Sequence, residues 1–205
     1  RFPRSGRKRK SRVVAITGVN GFIGSNLFQR LNLDPTVSKI VAIDIQPAPS
    51  TSVKARYHKV DLTEPLADAT LAELLEEERV DTFVHLAFLA SPTRNTSYAH
   101  ELESVGSMYV LHACSAVKSV EKLIVGGSTL AYGAHPKNPN YLTEEHALQA
   151  NPAYKFVADK VDVERQVARF IRKNPGKCVT ILRNGPILGP TIKYFITRYF
   201  RRVVI

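Results

Sequence analysis

Thr17-Gly18-Val19-Asn20-Gly21-Phe22-Ile23-Gly24 decides the fold. It follows an apolar run over residues 13–17 and precedes a helix pattern carrying Leu27, Phe28 and Leu31. Glycines at 18 and 21 permit a tight turn and let the backbone approach a pyrophosphate, and Gly24 lets the helix lie close to the strand. The helix amino end then offers N–H groups with no intrahelical acceptor to the anion. Glycines alone mark many turns, but this trio sits between a strand and a helix. A second apolar run ends at Asp44, twenty residues after Gly24. That combination points to a dinucleotide cradle. A carboxylate at the end of the second strand accepts hydrogen bonds from the ribose 2′-hydroxyl and repels a 2′-phosphate, and Ile45, Gln46 and Pro47 supply no arginine, so NAD is the expected cofactor.

Outward from the cradle, short Val- and Ile-rich runs recur over residues 13–17, 40–45, 57–61, 82–87, 123–126 and 179–182. They are nearly all apolar, as suits strands of a parallel sheet buried on both faces. Helical spacing over 66–78, 105–117 and 157–173 supplies the crossovers that parallel strands need. The expected fold is α/β, a doubly wound parallel Rossmann sheet over 12–190, with a basic disordered arm over 1–11. Residues 191–205 are expected to begin a carboxyl-terminal lobe that is largely absent.

The chain has 205 residues and a net charge of +11, which would suit a nucleic-acid binder if the charge lay on a folded surface. Seven cations fall in the first twelve residues and four more in an acid-free tail (Lys193, Arg198, Arg201, Arg202), so residues 13–190 are balanced. This distribution argues against nucleic acid as a partner and for a solvated arm. No apolar run is long enough to span a membrane or serve as a signal peptide, so a cytoplasmic protein with a small-molecule substrate is expected. Cys114 and Cys178 are expected as buried reduced thiols, and the histidines show no metal-ligand spacing. His85, in an apolar strand, reads as a satisfied core residue, and Glu76, Glu77 and Glu78 as a solvated helix end.

The Gly-x-x-Gly-x-x-Gly spacing resembles the extended short-chain dehydrogenase/reductase family, the NAD-dependent sugar-nucleotide epimerases and dehydratases. Asp61-Leu62 resembles the pair that meets the adenine ring. His85-Leu86-Ala87 is similar to the fourth-strand motif lining the cofactor, Ser128 to Gly133 to the strand-five motif whose serine is catalytic, and Arg183 to Pro190 to the segment leading toward substrate. The resemblance implies cofactor contacts at Gly18, Asn20, Gly21, Phe22, Ile23, Gly24, Asp44, Asp61, Leu62, Leu86, Ala87 and Lys160. It further implies transient hydride transfer on a nucleotide-sugar or similar alcohol or carbonyl, and pairing into a homodimer through the helices after strands four and five.

Such enzymes use a tyrosine acid/base and a lysine four residues later, stacked on one helix face so that the ammonium lowers the phenol's pKa. Ser128 hydrogen-bonds the substrate oxygen. Here the sequence departs from the pattern. Four before Lys160 stands Phe156, and Tyr154 lies six before it, about 240° around a helix if both are helical. Three readings are open: Tyr154 precedes the helix and returns its hydroxyl to the site, another group such as Tyr132 or a carboxylate supplies the proton, or the domain binds NAD without this chemistry as a sensor or scaffold. Glu103 stands where the family has an asparagine, three before Gly106, and either replaces its hydrogen bond or marks relaxed constraint.

Overall fold

The computed structural model describes residues 11–47, 52–149, 151, 153–189 and 192. Six strands form one parallel sheet: β1 (Arg12–Thr17), β2 (Val37–Asp44), β3 (Ala55–Lys59), β4 (Thr82–His85), β5 (Lys122–Ser128) and β6 (Cys178–Asn184). Their order is β3-β2-β1-β4-β5-β6. The order reverses direction between β2-β1 and β4, which opens a crevice at the carboxyl ends of β1 and β4. Helices α1 (Phe22–Leu33), α2 (Ala67–Glu77), α3 (Thr96–His100), α4 (Gly106–Ala116) and α5 (Lys155–Lys173) provide the crossovers.

Alternation along each strand divides the core between the two faces. Ala15, Val41, Phe83 and Leu123 face one way, against Leu71 and Leu75 of α2, Val110 and Cys114 of α4, and Val163 and Val167 of α5. Val14, Ile16, Ile40 and Ala42 face the other way, against Phe28 of α1. Burying such a side chain is worth about 1.5–3 kcal/mol, so strands β1, β2 and β4, covered on both faces, anchor the site loops at their ends.

Several expectations change in detail. Edge strand β3 begins two residues earlier than its apolar run and is half exposed, because β2 covers only one of its edges. On β6, Val179 and Ile181 pack on the first core while Leu182 is exposed, so this strand is not buried on both faces. Cys178 opens that strand on the exposed side, which corrects its expected burial; Cys114 is buried, and burial pushes its thiol up to about 12. Glu78 caps α2 and pairs with Lys39 at 2.7 Å and His58 at 3.4 Å, so it is not simply a solvated helix end. Among the described residues no helix is long and apolar enough to cross a membrane, and no His, Cys, Asp and Glu cluster could hold a metal. The arm expected over 1–11 and the lobe expected over 191–205 lie outside the described residues, apart from Ser11 and Ile192.

Ahead of α4 the helix pattern begins earlier than 105. Helix α3, capped by Asn95 Oδ1 accepting from the Tyr98 amide at 3.1 Å, runs into a π-helical turn over Glu101–Val105 and then into α4. A π turn inserts an extra residue into the helical ladder and rotates the side chains that follow it. In this chain it carries Glu103 and Ser104 into the interior.

Candidate functional site

The loop after β1 is built from backbone that only glycine tolerates. Gly18 sits at φ +69°, and a Cβ there would fall 2.6 Å from the Leu86 carbonyl oxygen, on the loop leaving β4. A Cβ on Gly24 would fall 2.1 Å from the Gly18 carbonyl oxygen, so α1 rests directly on the loop. Gly21 caps the helix, and its amide donates to Gly18 O at 3.0 Å. The first-turn amides, from Phe22, Ile23 and Gly24, have no intrahelical acceptor, and no acidic residue stands in that turn to compete for them. Phe22 and Ile23 are exposed beside them.

Asp44 ends β2 across the crevice. Its Oδ2 accepts from the Asn20 amide at 3.0 Å and its Oδ1 from the Gln46 amide at 3.2 Å, while Asn20 Nδ2 donates to Gln46 O at 2.9 Å. These bonds fix the carboxylate against the glycine loop and leave lone pairs for further donors. Gly18, Gly21, Asp44, Asp61, Leu62, Leu86 and Ala87 line one cleft of about 220 Å³, together with Phe88, Tyr98 and Leu102. Asp61 Oδ1 accepts from the Thr63 amide and hydroxyl, which fixes the turn after β3. A second depression of about 370 Å³, lined by Arg12, Asp34, Asp81 and Lys122, lies at the opposite, amino edge of the sheet and touches none of these residues.

The chain's own groups satisfy His85. Its Nδ1 meets Thr17 Oγ1 at 2.7 Å and its Nε2 meets Ser107 Oγ at 3.0 Å. Burial, and then the charge of Lys160, pull its pKa down to about 3, so the ring is a neutral strut between β1, β4 and α4. Ser128 ends β5, and its Oγ accepts from the Leu130 amide at 3.2 Å, capping a short 3₁₀ turn over Thr129–Tyr132. The Tyr132 hydroxyl accepts from Arg183 at 2.7 Å, and Arg183 is held by the buried Glu164 through both carboxylate oxygens. That network joins β6, α5 and the turn after Ser128.

At the start of α5, Tyr154 is the residue before the first turn, so the angular exclusion between 154 and 160 does not apply; the residue is 66% exposed and does not line the cleft. Phe156 lies within α5, its ring centroid 4.8 Å from Lys160 Nζ. Phe88, beyond β4, lies 5.2 Å from the same atom. Lys160 Nζ donates to Glu103 Oε1 at 2.7 Å, and that oxygen also accepts from the Leu89 amide at 3.0 Å. Glu103 is fully buried, and Oε2 has no hydrogen-bond partner among the described residues. Burial raises the Glu103 carboxyl, the neighbouring ammonium and the Leu89 amide pull it back, and Asp159 adds to the rise. The sequence marked each member separately, Glu103 as the carboxylate three before Gly106 and Lys160 as the match to the family's lysine, but carried no signal that the two meet across fifty-seven residues. Phe88, Tyr98 and Leu102 had no motif to mark them.

A family model described as "NAD dependent epimerase/dehydratase family" matches residues 14–204. An uncharacterized protein of Mycobacterium tuberculosis is 29% identical over 195 residues, covering 92% of this chain and 50% of its own length. The chain thus spans about half the length of this and two other uncharacterized mycobacterial relatives. Among solved structures, WbmH of Bordetella bronchiseptica in complex with NAD+ superposes with a TM-score of 0.74 at 21% identity, covering 94% of this chain and 62% of that one. MoeE5, in complex with UDP-glucose and NAD, gives a TM-score of 0.68 at 26% identity, covering 93% and 60%.

Proposed function

The chain belongs to the NAD dependent epimerase/dehydratase family, and on that premise we propose that it binds NAD and works as an oxidoreductase on a nucleotide-sugar or similar alcohol or carbonyl substrate by transient hydride transfer. The observation that carries this reading is the convergence of Gly18, Gly21, which caps α1, and the Asp44 carboxylate on one cleft at the carboxyl edge of the sheet. A Cβ at Gly18 would strike the Leu86 and Ala87 backbone, so only glycine lets the loop lie against that wall of the cleft, and the first turn of α1 holds no acidic residue that would repel a phosphate: the residues present fit the cofactor. MoeE5, with UDP-glucose and NAD bound, supports the choice of substrate class.

When bound, NAD would supply a reversible hydride acceptor for the substrate carbon. The roles proposed for the chain's residues are those the family resemblance implies. Gly18 and Gly21 let the backbone approach the phosphates, and the amides of Phe22, Ile23 and Gly24 donate to them, with Asn20 holding the loop in place. Asp44 accepts from the adenosine ribose, Asp61 and Leu62 border the adenine, and Leu86 and Ala87 form the cleft wall opposite the loop. Lys160 holds the nicotinamide ribose, Ser128 orients the substrate oxygen, and Tyr154, standing before α5, moves the proton.

The test is turnover. With saturating NAD and a panel of UDP- and dTDP-linked sugars, reduced-cofactor absorbance or conversion of the sugar upholds the reading, and absence of both with every sugar rejects it. The second reading, an NAD-binding sensor or scaffold without redox turnover, is favoured by Phe156 in the place of the tyrosine and predicts cofactor binding with no conversion.

A further inference from the structure

Lys160 is enclosed. Only 8% of its surface meets solvent; the Phe156 ring lies against the ammonium on one side, the Phe88 ring on another, and the Glu103 carboxylate in hydrogen-bond contact. The carboxylate cannot swing away cheaply, because its Oε1 also holds the Leu89 amide and because π-turn geometry aims it inward. A lysine activates a neighbouring phenol only through net positive charge felt at the phenol oxygen. Next to a cation whose counter-charge lies 2.7 Å away, a third group meets a dipole instead, and the field falls accordingly.

We propose that Glu103 is a positioning residue that commits the Lys160 ammonium to a buried ion pair, so that the side chain at 156 sits beside a neutral pair and the site's proton donor must come from outside the helical 156/160 pair. On this account Phe156 and Glu103 are one device: the carboxylate removes the charge that a tyrosine at 156 would use, and the two rings flank the ammonium. The other ionisable groups facing it are accounted for. Asp159, one residue before Lys160, is engaged by His100 Nδ1 at 2.8 Å, and His85 is neutral. The proposal rests on reading the cleft as the family's redox site, but its test needs neither cofactor nor turnover.

The experiment is a tyrosinate difference titration of Phe156→Tyr in the absence of NAD, with the unsubstituted chain subtracted, beside the double variant Phe156→Tyr/Glu103→Gln. The phenol at 156 is expected to ionise at or above the ordinary tyrosine value of about 10 in the single variant, and at least about one pH unit lower, a tenfold change, once Glu103 is neutralised. Ionisation below about 9 in the single variant overturns the proposal, since Lys160 then acts on the phenol despite Glu103. Equal, ordinary ionisation in both variants overturns it too, since Glu103 is then not what withholds the charge. If the Gln variant does not fold, Glu103→Asn, the family's own residue, makes the same comparison. A folded protein that binds no NAD but gives the expected pair of titrations leaves this inference standing and removes the cofactor reading.

Discussion

Replacing Gly24 by alanine sets two physical effects against each other, and the structure decides between them. Gly24 lies in the first turn of α1, where alanine is favoured over glycine by up to about 1 kcal/mol of helix propensity. The new Cβ, however, falls 2.1 Å from the Gly18 carbonyl oxygen and 2.9 Å from the Val19 Cα. Both are backbone atoms of the cradle, so no side chain can turn aside. Restoring ordinary contact moves α1 and the loop apart by about 1 Å, and overpacking of this kind costs about 1–3 kcal/mol, occasionally more. The expected net is a loss of about 1–2 kcal/mol in urea unfolding with an unchanged slope. The same displacement moves the first-turn amides away from the phosphates, so NAD affinity should fall at least about tenfold, near 1.4 kcal/mol. Gly176→Ala is the control, since a Cβ there meets nothing within 4 Å, and it should change stability by less than about 0.5 kcal/mol. If Gly24→Ala is stabilised by the full helix-propensity gain and binds NAD unchanged, α1 does not rest on the glycine loop and the reasoning fails.

Two further outcomes follow from burial. His85 has a folded pKa depressed to about 3 against an ordinary value of about 6.5, so its contribution is present above the higher value and is lost as pH falls toward the lower. Urea unfolding should therefore show stability declining by up to about 1.4 kcal/mol per pH unit below about pH 6, and His85→Gln should flatten that slope; an unchanged slope would place the acid sensitivity elsewhere. Iodoacetamide on the native protein, read by peptide mass spectrometry, should label the exposed Cys178 and spare Cys114, whose buried thiol is pushed up to about 12. Equal labelling would mean that α4 opens readily.

The fold was legible because its determinants are local. A parallel sheet buried on both faces demands apolar runs, and β1, β2, β4 and β5 lie where those runs lie; Gly18, Gly24 and Asp44 occupy positions whose spacing the turn and crossover geometry dictates. The rest depended on contacts across the chain. Nothing in Glu101–Val105 marks a π turn, because the extra residue in the ladder is settled by what α4 and α5 pack against. Glu103 and Lys160 are adjacent only after β5 has been inserted between β4 and β6, so the sequence showed separate departures at Glu103 and Phe156 where the structure brings both against the Lys160 ammonium. Tyr154 was excluded from sharing a face with Lys160 only on the assumption that both are helical, and α5 begins one residue after it. Cys178 was misjudged because Val179, Ile181 and Leu182 read as one apolar strand, and only the packing of Val179 and Ile181 on the first core reveals that the face carrying Cys178 and Leu182 is exposed.

Calorimetric titration of NAD and of its 2′-phosphorylated form, NADP, into the chain and into Asp44→Asn tests the central claim most directly. The account predicts that NAD binds, that the 2′-phosphate weakens binding at least about tenfold, and that this preference shrinks in the variant as the repelling carboxylate is removed. Binding of neither dinucleotide, or equal binding of both that Asp44→Asn leaves untouched, would contradict it.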